Sequence, residues 1–283
     1  MTSLFDWLTD PTIPALPRDR LPEYVFRYMG SDGLDATIRY RGLRMNVWSN
    51  MNDPREAKQW ESTGSLTAIH PYTNAEMTQR LDDVLRRSAH LMSLSLDRDR
   101  SPDAEPDSLF HRGWAKAPMW ANYANAHEGV CLVLDFPAVC EALEEHVGFK
   151  TSRYRNWGRI NYADRPIRID ITGAFADQAA LDEALYNFLE TRYTMSGLHM
   201  TKNTEWDYER ELRLAVVDRD LENHELDTPI NLPLGNCIRA VIFGDAYPDP
   251  AGTARTITTA LSPNAPEFLQ CRWIVGAPGL ERI

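Results

Sequence analysis

From Leu212 to Val217 the chain reads Leu-Arg-Leu-Ala-Val-Val, and it reaches this apolar run through Trp206, Tyr208, Glu209, Arg210 and Glu211. If the stretch is extended, a side-chain period of two sends Glu209 and Glu211 to the same side. Two like charges on one face raise the pKa of at least one carboxylate. Such a cost is accepted more readily at a site than in a core. The plainer alternative is a solvated strand end on which Arg210 and Arg213 are ion-pair partners, since structural networks perturb pKa values too.

The 283 residues suffice for one large domain or two small ones. With 43% hydrophobic and 25% charged residues, a sizeable core can form. A net charge of −11 argues against a general nucleic-acid coat, though not against a local basic groove. Cys131, Cys140, Cys237 and Cys271 are widely spaced without C-x-x-C, so reduced thiols are expected rather than zinc or disulfides. Residues 1–10 carry Asp6 and Asp10 and do not read as a secretory signal, and no apolar run has the length of a membrane span. The expectation is a cytoplasmic protein with no membrane partner.

Pro11, Pro14, Pro17 and Pro22 mark residues 1–22 as an irregular arm, followed by a single α+β domain over 23–283. Strands are expected at 24–28, 43–48, 91–97, 130–136, 211–217, 237–243 and 269–275. Helices are expected from Ser31 to a stop at Gly42, over 74–90, from Pro118 to His127, around 177–195, and from Asp249-Pro250. A polar loop runs through Asp107. Residues 150–168 hold Lys150, Arg153, Arg155, Arg159, Arg165 and Arg168 against one acid, Asp164, with Tyr154, Trp157 and Tyr162 interleaved. That composition suits nucleic-acid phosphates and bases, or equally a structural loop with Arg–carboxylate pairs.

Three polar groups lie on or beside expected strands: Arg27, the Ser93/Ser95 pair and Glu209/Glu211. An inward Arg is costly unless it meets an anion, and its planar fork suits diphosphate or carboxylate. Serines two apart can present both hydroxyls on one face. A Glu can bind a ribose hydroxyl or stabilise an oxocarbenium-like centre. Trp120, Tyr123 and Trp206 read first as core aromatics. The chain has no P-loop, Rossmann or G-x-S-x-G pattern and no H-E-x-x-H spacing. A metal nuclease built on Asp53, Glu56 and Glu211 lacks a tight ligand cluster.

Several runs together resemble a bacterial and phage-associated family of unknown function, the DUF2971 proteins. They are Phe26-Arg27-Tyr28, Ser49 with Asn52-Asp53-Pro54-x-Glu56, Met119 through Leu132 with the pattern W-x-x-Y-A-x-x-H-x-G, and Lys202-x-x-x-Trp206-x-Tyr208-Glu209-x-Glu211-x-Arg213. The chain is identified on these runs as a member of that family.

The order of parts is also similar to ADP-ribosyltransferases of the Arg–Ser–Glu type, although Ser-Leu-Ser stands where Ser-Thr-Ser is usual. This likeness implies an α+β split β-sandwich, two small sheets flanked by helices with a cleft between them. It implies NAD as substrate, Glu211 as catalytic carboxylate and Glu209 as the residue that positions or activates the acceptor. Arg27, Tyr28, Ser93, Ser95, Trp120 and Tyr123 would bind NAD. A nucleic-acid or protein acceptor would approach along 150–168, and a toxin or phage-defence setting would bring a partner such as an antitoxin. The rival reading is a non-catalytic binding or regulatory module of a defence or toxin-related system. In it Trp206, Lys202, Arg213 and the carboxylates form a buried network without chemistry.

Overall fold

The computed structural model describes residues 3–13, 17, 20–58, 74–99, 101–147, 153–164, 176–190, 198–218 and 227–283. Pro14, Lys150, Arg165, Arg168 and residues 191–195 of the expected helix lie outside them. The architecture is mixed α+β.

The strands are β1 (Tyr24–Met29), β2 (Gly42–Val47), β3 (Ala89–Ser95), β4 (Val130–Asp135), β5 (Arg153–Arg159), β6 (Asn161–Tyr162), β7 (Thr201–Lys202), β8 (Glu211–Asp218), β9 (Ile230–Pro233), β10 (Ile238–Phe243), β11 (Glu267–Ile274) and β12 (Ala277–Arg282). Ten of them form one connected sheet in the order β12-β11-β10-β4-β1-β3-β2-β9, with β8 also paired to β3 and β5 paired to β8. β6 and β7 pair in parallel as a separate ribbon. The expected pair of small sheets is thus replaced, among the described residues, by one ten-stranded sheet and one of two strands.

Alternation along the central strands feeds two apolar cores. Val130, Leu132 and Leu134 of β4 enter one cluster, and Cys131 and Val133 enter the other. β10 divides in the same way, with Val241 and Phe243 in the first and Ala240 and Ile242 in the second. Strands covered on both faces read as unbroken apolar runs.

The first core is closed by Leu34 of α2 (Ser31–Tyr40), Val139 and Leu143 of α6 (Phe136–Val147), and Ile257 and Leu261 of α8 (Pro250–Leu261). The second is closed by Leu8 of α1 (Leu4–Thr9) and by Met119 and Trp120 of α5 (Ala117–Tyr123). The other helices are α3 (Pro54–Ala57), α4 (Asn74–Asp82) and α7 (Gln178–Glu190). None of the described helices is long and apolar enough to cross a membrane. All four cysteines are free thiols.

Several local expectations change. The N-terminal arm contains α1, capped by the Ser3 hydroxyl on the Asp6 amide, with Leu8 fully buried. Apolar contact outweighed the flanking prolines. The helix expected over 74–90 is α-helical only to Asp82 and continues as a π-turn over Asp83–Arg87, so β3 starts two residues early. α5 ends at Tyr123, because Asn125, Ala126 and His127 all have positive φ (45°, 51° and 74°). Each left-handed residue of this kind costs roughly 1–2 kcal/mol. Gly129 then lets the chain pass the β1 backbone, since a Cβ there would lie 2.3 Å from the Met29 carbonyl oxygen. The described part of the basic stretch is β5 and β6 rather than a loop. β5 lies antiparallel to β8, Arg155 pairs with Glu144, and Trp157 rests edge-on against Phe136 at 5.8 Å.

Candidate active site

β1 and β3 share a single register pair, Phe26 with Ser95. If the ladder continued, Tyr28 would face Ser93. Instead β3 turns to β8, which it pairs from Ser95–Glu211 to Ala89–Val217, and to β2 through Asn46–Leu91 and Val47–His90. The sheet therefore forks, and the fork encloses a cavity of about 180 Å³. Arg27 and Tyr28 of β1, Ser93 and Ser95 of β3, Tyr123 of α5, and Lys202, Glu209 and Glu211 all line it. Every residue that the sequence marked for catalysis or NAD binding reaches this space except Trp120. That side chain is fully buried in the second core, its indole N–H donates to the Trp114 carbonyl at 2.8 Å, and its ring meets Tyr28 edge-on at 5.1 Å. Tyr28 forms wall only, because its hydroxyl is committed to the Gly113 carbonyl at 2.8 Å.

The two glutamates converge by a route other than strand alternation. Glu209 ends a 3₁₀ helix (Thr204–Glu209), Arg210 turns the chain at φ 48°, and only then does β8 begin at Glu211. Lys202 Nζ lies between the two carboxylates, 2.7 Å from Glu209 Oε2 and 3.1 Å from Glu211 Oε2. Arg213 grips Glu211 through Nε at 2.6 Å and Nη2 at 3.1 Å, while its Nη1 reaches Glu56 Oε1 at 2.6 Å and the His199 carbonyl at 2.7 Å. Among the described residues, the three buried carboxylates Glu56, Glu209 and Glu211 thus meet the two cations Lys202 and Arg213, and Arg27 lines the same cavity. Trp206 caps the group, its ring centroid 5.1 Å from Lys202 Nζ.

These contacts separate the two acids. Burial alone would raise the pKa of Glu211, but Arg213 and then Lys202 outweigh it and hold it at about 2. Glu209 goes the other way: burial raises it, Lys202 pulls it back, and Glu211 adds to the rise. Glu209 is the more basic carboxylate of the pair. Its Oε1 accepts the Tyr123 hydroxyl proton at 2.5 Å, and burial together with Glu209 raises the pKa of Tyr123 strongly.

The side facing β1 is less satisfied. Arg27 Nη2 donates to the Arg44 carbonyl at 2.6 Å, yet Nη1 is buried with no hydrogen-bond partner among the described residues. Burial, and then Arg44, bring the Arg27 pKa down to about 10. The Ser93 hydroxyl, by contrast, is directed at Glu211 and helps to lower its pKa. A buried donor left as Arg27 Nη1 is left is the kind of group that a ligand would complete.

Lys116 was not marked by the sequence. It is buried, and its Nζ donates to the Glu209 carbonyl at 2.9 Å. α5 therefore holds Glu209 at two points, by its backbone through Lys116 and by its carboxylate through Tyr123. A lone lysine between Ala115 and Ala117 gives no pattern to read, because its partner is a carbonyl 93 residues away. Burial lowers the Lys116 pKa to about 7, with Asp97 opposing. Asp53 and Glu56 do not assemble a metal site with Glu211; among the described residues no group of three or more His, Cys, Asp or Glu is placed to hold an ion.

Residues 119–214 match the model of a family described as a protein of unknown function, DUF2971. The matched segment runs from α5 into β8. It includes Tyr123, Lys202, Glu209, Glu211 and Arg213, and leaves Arg27 and the β3 serines outside. No curated protein and no solved structure matches the chain.

Proposed function

Since the chain belongs to the DUF2971 family, which carries no assigned activity, we propose from the fork itself that it is an NAD-dependent ADP-ribosyltransferase acting on a macromolecular acceptor. The observation that carries this reading is the junction of Arg27, Ser93, Ser95, Tyr123, Glu209 and Glu211 around one cavity. At about 180 Å³ it is smaller than ordinary ligand pockets of roughly 300–1,000 Å³. It would take only the nicotinamide–ribose end of NAD, with the remainder lying along the open side of the fork. The unpartnered Arg27 Nη1 fits such a ligand, as a donor for a phosphate or ribose oxygen.

In the reaction, a nucleophile of the acceptor forms a bond to the anomeric carbon while the bond to nicotinamide breaks. Nicotinamide leaves with the bonding electron pair. Glu211, ionised throughout the physiological range, stabilises the oxocarbenium-like centre. Glu209, the more basic acid, takes the proton of the acceptor. Calorimetric titration with NAD, with nicotinamide release followed in the same sample, tests the proposal. Saturable binding that weakens in Arg27→Ala, and release abolished in Glu211→Gln, are the expected results. Absence of binding at millimolar NAD would overturn it.

A second reading rests on a specific observation. Both Glu211 oxygens are already engaged by Arg213 and Lys202, as in a binding module whose carboxylates hold the fold together. On that reading Glu211→Gln lowers stability and there is no release to lose.

A further inference from the structure

The tip of the β11–β12 hairpin bears a cost that the fold does not recover. Val275 and Gly276 form a two-residue turn between Ile274 and Ala277, with φ of 50° and 79°. Positive φ at both central positions is the type I′ geometry, which favours Asn-Gly because a β-branched side chain is strained there. Val275 is also 101% exposed and Ile274 58%. A residue that is both strained and fully wetted adds nothing to folding. Strain of this kind is retained where a surface is used.

Beside the tip lies a groove of about 590 Å³, lined by Phe110 and Ala277 and bordered by Asp103, Glu105 and Asp107, with Arg98 also at its edge. Phe110 is 41% exposed and packs against Trp273 of β11 at 6.2 Å. Apolar centre and charged rim are the anatomy of an interface. The rim is mainly acidic, on a chain whose net charge is −11. Two copies meeting here would oppose like charges, whereas a basic partner would be attracted and steered.

We propose that the hairpin tip and this groove are a docking surface for a basic segment of another protein that carries an apolar anchor residue. The anchor would sit against Phe110 and Ala277, at the foot of the turn that carries Val275, and lysine or arginine beside it would meet the acidic rim.

The test uses the full chain and a short labelled peptide of lysine and serine with one central phenylalanine. Two control peptides replace lysine by glutamate, or phenylalanine by serine. Binding of the first peptide only is expected, weakening as salt is raised. Val275→Asn and Phe110→Ala should each weaken it about fivefold. Val275→Asn should also raise the melting temperature, because Asn accepts the left-handed turn. Equal binding of the glutamate peptide, or undiminished binding by both variants, would overturn the proposal. So would a lower melting temperature for Val275→Asn, or self-association of the chain that this substitution abolishes. None of these outcomes depends on whether the fork binds NAD.

Discussion

β4 and β8 belong to the same sheet, and each sends alternate residues into the first core: Leu132 and Leu134 from one, Leu212 and Leu214 from the other. They differ in what occupies the opposite face. β4 places Cys131 and Val133 there, against the aromatic residues of α5, and the second core closes over them. β8 places Glu211 and Arg213 there, equally buried. Removing water from an apolar side chain is favourable by itself. A charge gains from burial only if partners replace its water. The β4 side is therefore stable residue by residue, and the β8 side is stable only as a set. The fork lies between them.

Breaking the set should give the largest effect. Arg213→Met strands Glu56 without the Arg213 guanidinium, leaves Glu211 with Lys202 alone, and is expected to cost about 3–5 kcal/mol in urea unfolding. On the β4 side, Leu132→Ala should cost about 3 kcal/mol through cavity formation, equally at every pH. A pH-independent Arg213→Met, or a pH-dependent Leu132→Ala, would undo the contrast.

Acid should sharpen it. The Glu211 pKa falls from an ordinary 4.5 to about 2 on folding. Its contribution is fully present above pH 4.5 and is lost as pH drops from 4.5 toward 2. Glu211→Gln should flatten that part of the stability profile.

Lys116 should act at the alkaline end. Its pKa drops from 10.5 to about 7 in the folded chain. Between these values the unfolded chain holds the extra proton, so stability rises with pH, by at most about 1.4 kcal/mol per unit. Lys116→Met should remove that slope, and, on the proposed function, loosening of Glu209 would appear as weaker NAD binding. The smallest effect belongs to the surface. Arg155→Ala breaks an exposed pair with Glu144 and should change stability by less than about 1 kcal/mol.

The contrast also explains what could be read in advance. Runs such as Val130–Leu134 announce buried strands, because the pattern is local and each residue gains from burial independently. Arg27, Ser93, Ser95, Glu209 and Glu211 were marked because an isolated polar group on an apolar strand is conspicuous. Trp120 lies in the second core rather than the cavity, and the sequence does not distinguish the two, because an aromatic on a helix face reads the same whether it lines a pocket or fills a core. Strand alternation predicts that Glu209 and Glu211 share a side, but their approach depends on the left-handed turn at Arg210.

By itself, then, the sequence determined the strands β1–β4, β8, β10 and β11, the mixed α+β class and the polar residues that would be costly to bury singly. These follow from periodicity and from transfer free energies that act within a few residues. Only the tertiary structure decided that β1 and β3 part after one register pair, that Arg213 reaches back 157 positions to Glu56, and that Lys116 holds the Glu209 carbonyl. Pairing over such distances has no local signature, because its free energy appears only once the chain has closed and water has left the fork.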